Sequence, residues 1–217
     1  LLKPLSNDIP KSMIEFNGIP FIELQIRLLK SCGFENIILC TGHLHEKIES
    51  FILRKKYFDI NIRFSFDGGE PLGTGGAVKK ASEIASDNFF VLNGDSFLQI
   101  DYKDMLKIFY DINCEALMAV YKNKWRFDRS NVAISNGKVN FYDKNNIHKN
   151  LEFIDYGMTI FKKNVFYEMY ENIFDIETVN KILIDKNELG AYEVFNRFYE
   201  IGSFQGIEDF KNYLNKK

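Results

Sequence analysis

Three short segments of the sequence carry residue types that suit phosphate and metal-ion chemistry. The first is residues 72–77 (Leu-Gly-Thr-Gly-Gly-Ala), in which glycines directly precede a predicted helix. Glycine has no side chain, so such a turn lets the backbone approach a ligand closely and direct N–H groups at it. The segment lacks the Gly-Lys-Ser/Thr ending of a phosphate loop and the spacing of a dinucleotide-binding motif. It is either a ligand-binding turn of another type or a purely structural turn.

The second segment is residues 93–96 (Asn-Gly-Asp-Ser), directly after the most apolar predicted strand, residues 89–92. A carboxylate such as Asp95 at a strand end can hold a hard cation like Mg²⁺ against phosphate oxygens. The alternative is that Asp95 only caps the next turn, which is a common role of Asp. The third segment contains Lys11, which follows Pro10 and offers a positive charge for a phosphate. A solvated surface lysine is the alternative there.

Helices and strands alternate in the first half of the chain. Apolar spacing predicts helices at residues 21–30, 46–56, 75–84 and 102–112, and strands at residues 37–40, 60–66, 89–92 and 116–121. This alternation indicates βαβ units and a mostly parallel sheet, hence an α/β fold. Ligands of such sheets bind beyond the carboxyl ends of the strands, which is where Asp95 lies.

The second half of the chain does not continue this alternation. Residues 131–142 form a predicted hairpin, because Asn136 and Gly137 supply the positive φ angles of a type I′ turn. Apolar spacing further predicts one long strand interrupted by Gly157 and two helices, at residues 153–161, 178–184 and 207–214. No linker or internal repeat separates the two halves, so the sequence predicts a single domain.

The composition excludes several classes of protein. The chain has 217 residues with 28 Lys+Arg, 30 Asp+Glu and a net charge of −2, so no overall positive field exists to hold nucleic acid. No apolar stretch approaches the roughly 20 residues that span a bilayer, and no leader sequence is evident, so we expect a soluble protein. Three widely spaced cysteines indicate neither a disulfide framework nor a zinc site, which favours the cytoplasm. His43 and His45 lack a third zinc ligand nearby, so a surface or pocket-rim position is favoured.

Eight segments, taken in order, resemble the successive motifs of the sugar-1-phosphate nucleotidylyltransferases. They are residues 2–6 (Leu-Lys-Pro-Leu-Ser), 9–13 (Ile-Pro-Lys-Ser-Met), 72–77, 93–95, 127–132 (Phe-Asp-Arg-Ser-Asn-Val), 141–144 (Phe-Tyr-Asp-Lys), 155–157 (Asp-Tyr-Gly) and 199–203 (Tyr-Glu-Ile-Gly-Ser). The resemblance covers nearly the whole chain. Within the family the sequence is most similar to short, single-domain bacterial members, which include the heptose-1-phosphate guanylyltransferases.

The resemblance implies a Rossmann-like three-layer α/β sandwich with a mostly parallel mixed sheet. It implies one domain, residues 1–217, with a nucleotide-binding part to about residue 122 and a sugar-phosphate-binding part after it. The implied reaction joins a nucleoside triphosphate and a sugar 1-phosphate to give an NDP-sugar and pyrophosphate, with a guanine or uridine nucleotide favoured. The implied cofactor is Mg²⁺, and the implied setting is cytoplasmic synthesis of surface polysaccharide, without nucleic acid or membrane as partner. The family also allows a homo-oligomer.

The family pattern assigns roles to individual residues of this sequence. The catalytic residues are Lys11 and Asp95. The nucleotide would be bound by these two together with Gly73, Thr74, Gly75, Gly76 and Asn93. The sugar phosphate would be bound by Lys144, Asp155 and Gly157. The Mg²⁺ would be held by Asp95 and Glu200.

Two departures from the family pattern leave alternatives open. The family usually has an apolar strand and a Gly-Gly-x-Gly-Thr-Arg loop ahead of the position of Leu1. Either these lie in a part of the protein that precedes Leu1, or the protein is a non-catalytic paralogue that binds sugar nucleotides. The second departure is Glu200, where the family usually has an aspartate. Glutamate also binds Mg²⁺, but its side chain is longer by one methylene group. A glycosyltransferase of related fold is a further alternative, which the absence of a central Asp-x-Asp string disfavours.

Overall fold

In the computed structural model the described residues, 9–55, 59–145 and 151–216, form two compact units. The first unit contains the described residues up to Pro71, the short segment Gly94–Phe97 and the described residues from Tyr199 onward. The second unit contains Leu72–Asn93 and the described residues of Leu98–Phe198. Both units therefore draw residues from either side of residue 122, and the chain passes between them more than once.

The helices and strands are numbered in chain order. They are β1 Glu15–Phe16, β2 Ile19–Pro20, α1 Phe21–Ser31, β3 Asn36–Thr41, α2 His45–Arg54, β4 Asn61–Phe66, α3 Gly73–Ser82, β5 Asn88–Leu92, β6 Ser96–Phe97, α4 Tyr102–Asp111, β7 Ala116–Lys122, β8 Val132–Ser135, β9 Lys138–Tyr142, β10 Phe153–Lys162, α5 Ile176–Asp185, β11 Leu189–Val194, β12 Tyr199–Glu200 and α6 Phe204–Leu214. Short 3₁₀ turns occupy Lys11–Met13 and Lys163–Phe166.

The parallel pair β3–β4 and the helices α1 and α2 form one core of the first unit. The strands run in register from Asn36 opposite Asn61 to Thr41 opposite Phe66. Apolar side chains of both helices pack against these strands and exclude water from that face; the buried ones are Ile22, Ile26 and Ile52. This arrangement confirms the parallel strand pair that the apolar spacing predicts.

A second core of the first unit is built from aromatic rings. Phe210 of α6 lies 4.9 Å from Phe16, 5.3 Å from Phe21 and 5.0 Å from Phe97, measured between ring centroids. Tilted and edge-on ring pairs of this kind are favourable beyond the area they bury. The cluster joins α1, β6 and α6, and it therefore fixes β6, the strand that immediately follows Asp95.

The second unit is built on a six-stranded sheet in the order β5-β10-β7-β11-β9-β8. The sheet is mixed, as the resemblance implies. Among the described residues its one parallel pairing is β7–β11, and the pairings of β10 with β5 and β7 and of β9 with β8 and β11 are antiparallel. Antiparallel pairing predominates because β10 runs back between β5 and β7 and because a hairpin supplies the far edge. Helix–strand alternation along the chain could not reveal this return of β10.

Helices cover both faces of this sheet. On one face, Val78 of α3 and Val179 and Leu183 of α5 are buried against alternate residues of β7 and the adjoining strands. On the other face, Tyr102 of α4 contacts the ring of Phe90 at 5.8 Å. The second unit is therefore a three-layer arrangement of helix, sheet and helix.

Local sequence signals account for several boundaries. The predicted hairpin is confirmed as β8 and β9, and its turn residues Asn136 and Gly137 have φ angles of 52° and 74°. Helix α6 begins at Phe204 and not at residue 207, because the Ser203 side chain accepts a hydrogen bond from Gly206 N–H and caps the helix. Within the described residues, no helix combines the length and apolarity needed to cross a membrane.

Candidate active site

Lys11 and Asp95 form an ion pair in the first unit. The Lys11 Nζ lies 3.3 Å from Asp95 Oδ2, and the side chains are 41% and 36% exposed. The 3₁₀ turn that follows Pro10 presents Lys11, and the turn between residues 92 and 96 presents Asp95. Because both groups remain accessible to water, the pair contributes little to stability and stays open to exchange partners with a ligand.

The strand pair β6–β12 brings Glu200 next to Asp95. Glu200 lies opposite Ser96 in this antiparallel pair, and Ile201 N–H donates to the carbonyl oxygen of Asp95 at 2.9 Å. In addition, the Gln25 amide on α1 donates to the carbonyl oxygen of Ser96 at 2.7 Å. Two residues 105 positions apart in sequence thus occupy neighbouring backbone positions.

Gly202 marks the space that these charged groups share. A Cβ atom added at Gly202 would lie 2.9 Å from Glu200 Oε2, 3.3 Å from Asp95 Oδ2 and 3.8 Å from Lys11 Nζ. Two carboxylate oxygens and one ammonium group therefore surround the same point, which the glycine leaves free of side-chain atoms. An arrangement of this kind can bind a cation together with the anionic group that the cation neutralises.

The Glu200 carboxylate is held by the N-terminus of α6. Its Oε2 accepts hydrogen bonds from Gly202 N–H and, at 3.1 Å, from Ser203 N–H. Its Oε1 accepts from the Ser203 hydroxyl at 2.5 Å. These three hydrogen bonds at the start of a helix fix the Glu200 carboxylate in place.

These donors fit a magnesium ion that is shared with a phosphate. Carboxylate oxygens are hard ligands, and Mg²⁺ is commonly held by one or two carboxylates with the remaining positions filled by water and substrate phosphate. Within the described ranges, no group of three or more His, Cys, Asp or Glu side chains could hold a metal ion by itself. The two carboxylates of Asp95 and Glu200 would leave the other ligand positions of such an ion to water and phosphate.

The glycine-rich turn of the second unit lies against the loop that leads into α5. Gly75 N–H and Gly76 N–H both donate to the carbonyl oxygen of Phe174, at 2.9 and 3.1 Å. The Thr74 hydroxyl donates to Asp175 Oδ1 at 2.7 Å. These two amide groups are thus already engaged within the protein and are not directed at a ligand.

The glycines of this turn are required by that close packing. A Cβ at Gly73 would lie 2.6 Å from the Phe174 carbonyl oxygen, and one at Gly75 would overlap the Phe174 ring. One at Gly76 would overlap the Asn172 carbonyl oxygen. The structural interpretation of the glycines therefore accounts for at least part of the motif, and nothing in the local sequence points to Phe174 as the partner.

Asp155 and Gly157 form a bulge in β10. Gly157 has a φ of 87°, and the register of β10 against β7 shifts between Asp155 and Thr159. Asp155 Oδ1 accepts from Gly157 N–H at 2.8 Å, and Asp155 Oδ2 accepts from the Tyr142 hydroxyl at 3.0 Å. The Asp155 carboxylate therefore holds the bulge in shape.

Burial raises the pKa of the Asp155 carboxyl above its ordinary value of 3.8, although Gly157 N–H, the Tyr142 hydroxyl and the charge of Lys144 act in the opposite direction. Burial, followed by the negative charge of Asp155, also raises the pKa of the Tyr142 hydroxyl. Lys144 itself is exposed. The second unit thus places the charge of Lys144 close enough to Asp155 to act on its carboxyl group.

Asn93 joins the two predicted subsites of the second unit. Its backbone N–H donates to the carbonyl oxygen of Gly157 at 3.0 Å. The segments that the family pattern assigns to the nucleotide and to the sugar phosphate are therefore adjacent at Asn93 and Gly157. His45, by contrast, stacks on Phe66 with ring centroids 3.8 Å apart, and neither His43 nor His45 belongs to a metal-binding group among the described residues.

Comparison with known proteins identifies relatives of the whole chain. Residues 1–216 match the family model described as "Nucleotidyl transferase". The D-glycero-alpha-D-manno-heptose 1-phosphate guanylyltransferase of Campylobacter jejuni is 32% identical over 168 residues, which are 76% of this chain and 72% of that protein. The enzyme of the same name from Aneurinibacillus thermoaerophilus is 31% identical over 62% of this chain, and the match spans 57% of that protein.

Solved structures show the same fold. HddC from Yersinia pseudotuberculosis superposes with a TM-score of 0.83 at 24% identity, covering 99% of this chain and 94% of that one. A second structure of HddC, complexed with GMP-PN, gives a TM-score of 0.82. UDP-glucose pyrophosphorylase from Acinetobacter baumannii gives a TM-score of 0.76 at 19% identity, covering 97% and 87% of the two chains. The predicted α/β fold of the nucleotide-diphospho-sugar transferases is thereby confirmed.

Proposed function

The chain belongs to the nucleotidyl transferase family, and we propose that within this family it is a sugar-1-phosphate guanylyltransferase. Enzymes named for this activity, with heptose 1-phosphate or mannose 1-phosphate as substrate, are prominent among its relatives. The proposed reaction joins GTP and a sugar 1-phosphate to give a GDP-sugar and pyrophosphate. The product would serve the synthesis of surface polysaccharide in the cytoplasm.

The observation that carries this proposal is the cluster of Lys11, Asp95 and Glu200 around the open space at Gly202. In the proposed reaction, an oxygen of the sugar phosphate attacks the α-phosphorus, the bond from that phosphorus to the bridging oxygen breaks, and pyrophosphate leaves. Such a reaction needs little covalent help, and it depends on positioning and on positive charge beside the phosphate oxygens. Lys11 supplies one such charge from the protein.

Asp95 and Glu200 would hold the Mg²⁺, which when bound would neutralise phosphate charge and fix the orientation of the triphosphate. Glu200 is already anchored by Gly202 and Ser203, so it would not need to move to accept the ion. Asp95 faces Lys11, and a phosphate that enters the cluster can take over the contact of Lys11 with Asp95. The ion pair thus keeps both groups oriented until the ligand arrives.

The second unit would recognise the substrates. We assign the nucleotide to the turn of Gly73, Thr74, Gly75 and Gly76 together with Asn93. Since two amide groups of that turn are bonded to Phe174, the turn would act by its shape and through its remaining atoms. We assign the sugar phosphate to Lys144, with Asp155 and Gly157 shaping the wall beside it. The exposed Lys144 can approach an anion without losing a buried partner.

The proposal is tested with the purified full-length protein, Mg²⁺ and a panel of GTP, UTP, CTP, ATP and dTTP against heptose, mannose and glucose 1-phosphates. We expect pyrophosphate release that requires both substrates and is fastest with GTP, with the GDP-sugar identified by mass spectrometry. Turnover that is fastest with UTP would replace the guanylyl assignment by a uridylyl one. Binding of nucleotide sugar without any turnover would contradict the proposal and favour the non-catalytic paralogue.

A further inference from the structure

Glu200 is longer than an aspartate, and the structure shows how the extra length is accommodated. The side chain folds back along the first turn of α6, so that its carboxylate lies over Gly206. A Cβ atom at Gly206 would overlap Glu200 Oε1 and would lie 2.5 Å from the carboxyl carbon and from the backbone carbonyl oxygen of Glu200. Any residue larger than glycine at position 206 would therefore displace Glu200.

Gly202 borders the other side of the same carboxylate. Its missing side chain leaves the point that Glu200 Oε2, Asp95 Oδ2 and Lys11 Nζ surround at 2.9 to 3.8 Å. All three atoms are ends of side chains, so a methyl group there would fill the space between the charges without touching backbone. Gly202 and Gly206 thus lie on opposite sides of the Glu200 carboxylate. Gly206 leaves room for the side chain itself, and Gly202 leaves open the space between it and Asp95.

We propose that Gly202 and Gly206 are positioning residues for the carboxylate pair of Asp95 and Glu200. Gly206 gives the Glu200 side chain room to fold against the N-terminus of α6, and Gly202 keeps the space between the two carboxylates open. The assignment of that space to a metal ion rests on the proposed function. The folding of Glu200 over Gly206 does not depend on it.

The Glu200 carboxylate would then serve both the start of α6 and the ion. The Glu200 carboxylate accepts three hydrogen bonds from Gly202 and Ser203, so it stabilises the N-terminus of α6 in the absence of any ligand. The same Oε2 atom faces Asp95 across the open space. A carboxylate that is already fixed loses little conformational freedom when it binds an ion, which favours binding.

The test is a cycle of Gly206→Ala, Glu200→Asp and the double variant, measured as thermal unfolding of the metal-free protein. Alanine normally stabilises a helix relative to glycine. Here we expect Gly206→Ala to lower the unfolding temperature, and Gly69→Ala to leave it nearly unchanged, because a Cβ at Gly69 meets no atom within 4 Å. An unfolding temperature raised by Gly206→Ala would overturn the proposal.

The double variant separates the Glu200 side chain from other effects. Aspartate in place of Glu200 withdraws the carboxylate from position 206 but leaves the backbone oxygen there. We therefore expect Glu200→Asp to lower the unfolding temperature of the wild type. In the Gly206→Ala background we expect the same substitution to restore part of the lost unfolding temperature. If Gly206→Ala alone does not fold, recovery of a folded double variant supports the proposal. If the unfolding temperature of the double variant is lowered by the sum of the two single-variant losses, the proposal is overturned.

Metal binding provides the second measurement, with Mn²⁺ alone as the probe and water-proton relaxation as the signal. We expect Gly202→Ala, whose Cβ would meet only the Glu200 side chain closely, to lower the unfolding temperature less than Gly206→Ala does, and to weaken Mn²⁺ binding by about tenfold or more. Unchanged binding in this variant overturns the role of Gly202. A wild type that binds no Mn²⁺ contradicts the proposed metal site, whereas the unfolding cycle still decides the role of Gly206.

Discussion

Two aspartates that the family pattern places in the site, Asp95 and Asp155, are held in opposite ways. Asp95, in the first unit, is about one-third exposed, and its carboxylate faces the ammonium group of Lys11 and an open space. Asp155, in the second unit, has both carboxylate oxygens engaged by Gly157 N–H and the Tyr142 hydroxyl. The same type of side chain faces an open space in one unit and has both oxygens engaged by neighbouring groups in the other.

The difference separates a group that meets a ligand from a group that shapes a binding surface. A partly exposed carboxylate beside a cation can exchange partners at little cost. A buried carboxylate must keep its hydrogen bonds, since an unsatisfied buried group costs more than the bond itself contributes. We therefore expect the loss of the Asp95 charge to affect chemistry, and changes at the predicted binding residues of the second unit to affect binding and stability.

The largest expected effect comes from Asp95→Asn. The substitution keeps the shape of the side chain but removes the charge that would hold the metal ion, so we expect kcat to fall by about 10²- to 10³-fold. The unfolding temperature should change little, because the side chain is part exposed. The matched control is Asp59→Asn, since Asp59 is 86% exposed and faces Lys30 at 3.7 Å. Equal kcat values for the two variants would remove Asp95 from the mechanism.

Gly75→Ala tests the enclosed character of the second unit. A Cβ at this position would overlap the Phe174 ring and would lie 2.8 Å from the carbonyl carbon of Asp175. We expect a loss of about 1–3 kcal/mol in the free energy of unfolding, measured with urea, as for other overpacked sites. Gly69→Ala serves as control. A variant of normal stability that has lost affinity for nucleotide would show instead that the turn is held open for the ligand.

Lys144→Ala should affect one substrate more than the other. Loss of a single charge beside the sugar phosphate is expected to raise the KM for the sugar 1-phosphate by about tenfold, with the KM for GTP nearly unchanged. Lys107→Ala, which removes an exposed lysine from α4, is the control. Steady-state kinetics with each substrate varied in turn gives both KM values. An equal rise in the KM for GTP and the KM for sugar 1-phosphate would contradict this assignment.

Asp155→Asn should have the smallest effect, and the effect should depend on pH. The folded state holds the proton of Asp155 more tightly than the unfolded chain does, so the stability of the wild type falls as pH rises from 3.8 through the raised pKa. Asparagine cannot ionise, so the variant does not lose this part of its free energy of unfolding as pH rises. The stability of the variant relative to the wild type should therefore improve with pH, by roughly 1.4 kcal/mol per unit of raised pKa. Urea unfolding at several pH values checks this, and a relative stability that worsens with pH would contradict it.

Local signals in the sequence predicted much of this structure. The Asn136 and Gly137 turn follows from the φ angles that only such residues adopt easily, and the parallel strands β3 and β4 follow from their apolar spacing. Asp95 could be singled out because a strand end that is followed by Asn-Gly-Asp is a local feature. The roles assigned to the site residues remain predictions that the experiments above can test.

Long-range contacts could not be predicted in the same way. Asp175 lies 101 residues from Thr74, and no local pattern indicates that the glycine turn packs on the loop before α5. The return of β10 between β5 and β7 is likewise a matter of topology, and it explains why the sheet of the second unit is mostly antiparallel. The position of the Glu200 side chain over Gly206 depends on the N-terminal cap of α6, which Ser203 supplies.

The most direct test of the division between the two units is a single-turnover rate with labelled GTP fully bound by an excess of enzyme and with Mg²⁺ and sugar 1-phosphate at saturating concentrations. With the binding sites filled, Lys144→Ala should transfer the nucleotidyl group within a few-fold of the wild-type rate. Asp95→Asn should remain at least about 100-fold slower, because saturation cannot replace a group that acts in the chemical step. A wild-type rate for Asp95→Asn, or a Lys144→Ala rate as low as that of Asp95→Asn, would contradict the assignment of chemistry to the first unit and binding to the second.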